Sequence, residues 1–403
     1  MERGHIMKND QFNGNRLREA LQYRGKRMAD LVEETGISRQ SFSAYVNGTN
    51  RPSQENVWAI AKALDFPIEY FKQADMPCMR TETTYFRSQA SATKMSREEQ
   101  KAKMKQAVAL FDFFNRKYID YDDYIEPKLD TKLTEIEEDP NMYMQIEKIA
   151  DEVREQWSLG RGPIENVQNV LELHGIIVTG FPVSGNGKID AFSQKLKTEE
   201  EKDVFIVALG IGQKPIQRLR FDMCHELGHI ILHSWEDSED ELHRDRFNLV
   251  EKQANIFASA FLLPRETFLK DVGNHATELE HYRILKKRWN VSMQAMVYRA
   301  WQIGIISSTQ FQYMMRQFAK NGWRKKEPGD RPADINDTVY KMAIKLLFEG
   351  GYLTPERLKE ELYKENIGLG NRDLEELMHL DKGTLDSTDI PNKIIDIKSI
   401  LKG

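Results

Sequence analysis

At 403 residues the chain is long enough for two or three domains, each able to bury its own core. An apolar fraction of 40% and a charged fraction of 30% are those of an ordinary soluble protein. The formal charge of −5 excludes a whole-chain nucleic-acid coat but leaves room for one small basic-faced module.

Two cysteines, Cys78 and Cys224, are too few for a disulfide framework and predict free thiols in a reducing cytoplasm. No apolar run approaches bilayer length, and no charged-then-apolar export signal opens the chain. Met1 to Met7 reads as a flexible leader, with Met7 an alternative start.

Residues 14–73 read as a block of five short helices. Leu17, Ala20 and Leu21 form one apolar stripe, and Met28, Leu31 and Val32 form the next. Gly36-Ile37-Ser38 ends one helix and caps another, because glycine supplies the C-terminal turn and serine accepts the first free amides. Phe42, Tyr45 and Val46 continue the pattern to Asn47-Gly48, and Val57, Ile60, Ala61 and Leu64 form a further face. Residues 74–133 are a connector followed by a helix carrying Met104, Val108, Phe111 and Phe114; its aromatics suit a core better than a binding box.

The next domain, 134–310, is expected to be α+β. Helices are predicted over Glu135 to Trp157 and Pro163 to Leu173, and strands over Gly175 to Thr179 and Asp203 to Leu209. A glycine-containing segment, Val183 to Phe192, lies between the strands. A helix starts after Pro215 and runs to about Ser234, and a second spans Arg246 to Leu263, with the solvated acidic stretch Glu236 to Glu241 between them. Glu278 to Ile306 reads as helical, Lys320 to Pro332 as a polar patch, and 333–403 as a small helical tail domain suited to sensing or dimerisation.

Chemistry concentrates in His225-Glu226-Leu227-Gly228-His229. Residues four apart lie on one helical face, so His225 and His229 can share one ion. Neutral imidazole is a good zinc ligand, and zinc acidifies water, which lets Glu226 serve as general base toward a carbonyl and then protonate the leaving amine. Leu219, Met223, Leu227, Ile230 and Ile231 are placed to pack away from the metal. A third ligand is required, and the candidates are His233, His243 and Glu251. His233 would need three turns of one straight helix to close on one ion. Glu251 is favoured because Ala254 and Ala258 share its face and permit close packing, with His243 second. Cys78 as an inhibitory zinc ligand is a weaker reading than an ordinary free thiol.

FDMCHELGHIILH followed by EKQANIFASAFLLP resembles the ImmA/IrrE family of bacterial and phage metallopeptidases, over roughly Glu147 to Ile306. The resemblance implies zinc held by His225, His229 and Glu251, with Glu226 as base. Lys188 to Ser193 and Trp289 to Arg299 also fit, while Cys224 stands where a small residue such as alanine is expected.

MADLVEETGISRQSFSAYVNGTNRPSQENVWAIAKAL resembles the helix-turn-helix domain of lambda-repressor-like, xenobiotic-response-element-type regulators. Its second helix, Ser38 to Val46, would enter the major groove and expose Arg39, Gln40, Ser41 and Ser43, with Asn47, Asn50 and Arg51 near phosphates.

The fold expected is mainly α: a helix-turn-helix head, a zincin-like α+β centre and a helical tail. The function expected is a cytoplasmic transcriptional regulator fused to a zinc endopeptidase. Its partners would be a DNA operator and a protein substrate, by family resemblance a helix-turn-helix repressor whose cleavage induces phage, mobile-element or stress genes. Cleavage would act in trans or in cis, the latter within Ala74 to Ala92, and a homodimer on two half-sites fits such a head. The rival readings are a transcription factor whose peptidase-like domain only senses an effector or metal, and an antitoxin-like partner of a toxin.

Overall fold

The computed structural model describes residues 11–76, 80–86, 94–118, 121, 123–131, 141–182, 191–197, 202–211, 214–233, 244–332 and 339–386. The leader, Cys78, Lys188 to Asp190, the acidic stretch and His243 lie outside the described residues. The chain divides into two compact units, one made of Met1–Met76 with Tyr340–Gly403 and the other of Pro77–Val339.

The first unit holds α1 (Gly14–Tyr23), α2 (Met28–Thr35), α3 (Arg39–Val46) and α4 (Gln54–Leu64). The fifth expected helix is a single 3-10 turn, Ile68–Lys72. Gly36 closes α2 with φ of 70°, a left-handed conformation that costs glycine little, and the Ser38 hydroxyl caps α3 by accepting from the Ser41 amide. Leu17, Leu31, Phe42, Ile60 and Phe71 are each fully buried in this unit.

The tail segment groups with the head in one compact unit. α14 (Val339–Glu349), α15 (Pro355–Lys364) and α16 (Asn371–Met378) share the unit of the head. Arg24 on the C-terminal side of α1 donates to both Asp373 oxygens at 2.6 Å and to the Leu64 carbonyl at 2.7 Å. Buried Arg16 lies over the Tyr70 ring and donates to the Asn366 carbonyl and to Gln73 Oε1, while Gln73 Nε2 donates to the Tyr363 carbonyl. A buried guanidinium is costly without such acceptors, so these contacts tie the tail segment to the head. Helical periodicity carries no trace of such long-range polar pairs.

The second unit contains α5 (Lys94–Lys117), α6 (Met142–Gln156), α7 (Val167–Leu173) and a four-stranded sheet of order β1-β3-β4-β2. β2 (Ile176–Pro182) runs parallel to β4 (Asp203–Ile211), and β3 (Ala191–Lys197) pairs antiparallel with β4. β1 (Arg80–Phe86) pairs antiparallel with the other edge of β3, so part of the stretch read as connector is a strand. Phe113 and Phe114 of α5 are buried, as a core reading of that aromatic run requires.

α8 (Ile216–Leu232) and α9 (Arg244–Leu262) follow, then α10 (Arg265–Val272), α11 (Leu279–Trp289), α12 (Met293–Gln302) and α13 (Ser308–Lys320). Asn290, with φ of 52°, breaks the helix expected over Glu278 to Ile306 into α11 and α12. The core joins α6, the sheet, α8 and α9 through Ile146, Val178, Val207, Leu227 and Phe257.

Two buried arginines fasten the loop before α7. Arg154 donates to the carbonyls of Gly160, Gly162 and Phe261, and Arg220 to those of Ile164 and Glu165. The polar patch is tied down as well. Buried Glu327 accepts from the Met293 and Gln294 amides at the start of α12 and pairs with Lys286.

Candidate metal centre

Glycine at position 228 decides how α8 meets α9. A Cβ there would lie 3.1 Å from the Ala254 Cα, 3.2 Å from its carbonyl oxygen and 3.3 Å from the Phe257 Cβ. The two helix backbones therefore approach across Gly228 and Ala254, and Ala258 is buried one turn further on. This contact brings Glu251, one turn before Ala254, onto the histidines of α8.

His225, His229 and Glu251 each offer a ligand atom, all within 4.8 Å of one another. The two imidazole Nε2 atoms stand 3.0 Å apart. Glu251 Oε2 lies 3.5 Å from His225 Nε2, and Oε1 lies 3.2 Å from His229 Nε2. Nitrogen and oxygen ligands at zinc distances around a tetrahedral centre are separated by roughly 3.3 Å, so this donor set fits zinc. Both histidines are buried while Glu251 keeps partial exposure. Burial pushes the Glu251 carboxyl up, but the His225 and His229 rings facing it outweigh burial and hold the group below the usual carboxylate range.

His233, one of the three candidates for a third ligand, has another place. Its Nδ1 lies 3.1 Å from His229 Nδ1 and its Nε2 lies 3.0 Å from Gln253 Oε1. Gln253 Nε2 points at the Met142 sulfur, 3.8 Å away, which can only accept and so fixes the amide orientation. Gln253 Oε1 then takes the His233 Nε2 proton. Burial and the neighbouring His229 hold the His233 pKa well below its ordinary value, keeping the ring neutral with Nδ1 as acceptor. His229 Nδ1 must donate, which leaves the His229 Nε2 lone pair aimed at His225 and Glu251. Such outer partners typically govern metal affinity by about 10–100-fold. His233→Phe and Gln253→Ala should each weaken zinc binding on that scale, read by competition with a chromophoric chelator. Unchanged affinity in both variants would refute the relay.

Glu226 is buried beside this centre, and its Oε2 accepts from the buried Ser193 hydroxyl on β3 at 2.7 Å. Neither Ser193 nor Gln253 stands out in the sequence as a site residue, since no spacing rule links a strand serine to a helix glutamate. Leu219, Met223, Leu227 and Ile230 pack into the core, with Ile231 half-buried. Cys224 is fully buried, and burial pushes its thiol up to about 12 against the opposing pull of Arg220 and Arg154. It is a packing residue.

A cavity of about 720 Å³ reaches Glu251 and is lined also by Tyr143, Phe221, Lys252, Asn255 and Tyr298.

In the first unit, Arg39, Gln40 and Ser43 of α3 are exposed, as are Asn47, Asn50 and Arg51 beyond it. Ser41 differs: it is half-buried, and its hydroxyl lies 2.9 Å from that of Ser38 within the helix cap.

Residues 212–300 match the family model of the IrrE N-terminal-like domain, and residues 17–71 match a helix-turn-helix model. No curated protein matches the chain. A helix-turn-helix segment and a metallopeptidase-like domain are thus fused in one polypeptide.

Proposed function

We propose that the chain is a DNA-binding regulator whose second unit is a zinc-dependent endopeptidase, with a helix-turn-helix repressor as its substrate. The observation that carries this reading is the convergence of His225, His229 and Glu251 beside the buried carboxylate of Glu226. The three converging side chains would hold zinc. Zinc in such a setting supplies an acidified water and polarises the scissile carbonyl. Glu226 takes up a proton during attack and returns it to the departing amine, while the Ser193 hydroxyl holds its second oxygen in place.

The test is terminal-peptide proteomics on cells expressing the wild type or Glu226→Gln. New N-termini within a helix-turn-helix repressor, present only with the wild type, are the expected result. Cleavage of purified protein inside Ala74 to Ala92 on adding zinc would place the substrate in cis. If the two proteins give identical peptide ends while DNA-regulated output persists, the domain is a sensor instead.

The head is proposed to read an operator through α3. Arg39→Ala should cost about 1–3 kcal/mol and relax preference at one base pair, whereas Arg51→Ala should weaken all sequences alike. Binding titrations against a set of single-base operator variants distinguish the two patterns.

A further inference from the structure

β3 lies beside the catalytic carboxylate, since Ser193 in its middle donates to Glu226. The sheet order β1-β3-β4-β2 makes β3 interior only because β1 covers it. Without β1, β3 would present a free row of backbone donors and acceptors within reach of the base. Extended peptides add to such an edge by main-chain hydrogen bonding, and an uncovered edge invites a foreign strand. The covering strand is short, comes from the stretch between the helix-turn-helix segment and α5, and is rich in threonine. Its register sets Tyr85 opposite Ser193 and Phe86 opposite Phe192, with an irregularity between Thr81 and Thr83.

We infer that β1 is a resident stand-in for substrate. It occupies the sheet edge at which this peptidase receives its target as an added extended strand, antiparallel to β3. A substrate must displace it, so the substrate class is a protein segment able to become extended, and the enzyme at rest is blocked by its own chain. This deepens the endopeptidase reading and rests on it for the word substrate, but the exchange of strands itself needs no hydrolysis.

The test uses the full chain carrying Glu226→Gln, so that nothing is cut, and a fluorescein-labelled peptide spanning residues 79–88. Only alternate amides of β1 face β3, so a Thr83→Pro, Thr84→Pro double variant removes one that does. Occupancy of the edge lowers apparent affinity by the fraction of open molecules. Fluorescence anisotropy should therefore show the peptide binding about ten-fold or more tightly to the proline variant than to its parent. Should the prolines unfold the unit, replacing residues 80–86 by a glycine-serine run of equal length makes the same comparison. Equal binding by parent and folded variant, or no binding by either, overturns the inference. The hydrolase reading is untouched by that outcome, because it is decided separately by the cleavage products of wild type against Glu226→Gln.

Discussion

Glu226→Gln is expected to retain zinc at the wild-type stoichiometry and to lose about 10²–10⁴-fold in peptide hydrolysis. The change is isosteric, so it opens no cavity in a site where the residue is fully buried. The amide oxygen can still accept from Ser193, which keeps the side chain on β3. The donor set is unaltered, because the converging ligand atoms belong to His225, His229 and Glu251. What disappears is the capacity to take a proton near neutral pH. Metal content by mass spectrometry and cleavage of the identified repressor, measured on the same preparation, check both halves. Loss of metal in this variant would mean that Glu226 is a ligand, and undiminished cleavage would place the base elsewhere.

The complementary result is expected at Glu251. Glu251→Gln removes the negative charge facing two imidazoles 3.2 and 3.5 Å away, and should lower zinc affinity by more than about 100-fold. That bound follows from the 10–100-fold cost typical of changes one shell further out. Activity should then recover partly at high zinc, unlike that of Glu226→Gln, which no metal concentration restores. A chelator competition series on both variants separates the two behaviours. If Glu251→Gln binds zinc as tightly as wild type, a residue outside the described set supplies the third donor.

Much of this centre was legible because it is local. The i, i+4 spacing of His225 and His229 needs only a helix, and Pro215 and the apolar positions Leu219, Met223 and Leu227 supply one. Glu251 was legible through Ala254 and Ala258, since small residues on one face announce close packing. Ser193, Gln253 and the placing of His233 were not, because each depends on side chains meeting across separate elements. β1 was missed for a different reason. Arg80 to Phe86 has threonines and aromatics that suit a strand, but it lies in a stretch whose Met, Gln, Lys and Glu content suggests a linker. Tertiary pairing with β3 decides the matter. The grouping of the tail segment with the head has no local signal, because Asp373 meets Arg24 across a separation of 349 positions.

Residues 11–76 and 340–386 fall in one compact unit, and the unit that carries the candidate metal centre lies between them in the chain. Two covalent tethers therefore join the units, and severing the first leaves the second intact. With a foreign protease site engineered between residues 87 and 93, cutting should give two fragments on a denaturing gel but one species on native chromatography. Arg24 with Asp373, and Arg16 with Asn366, keep the N-terminal piece in place. Fragments that part under native conditions would contradict this. On the proposed reading, a cut in that stretch would leave the helix-turn-helix segment attached to the metallopeptidase-like unit through the second tether.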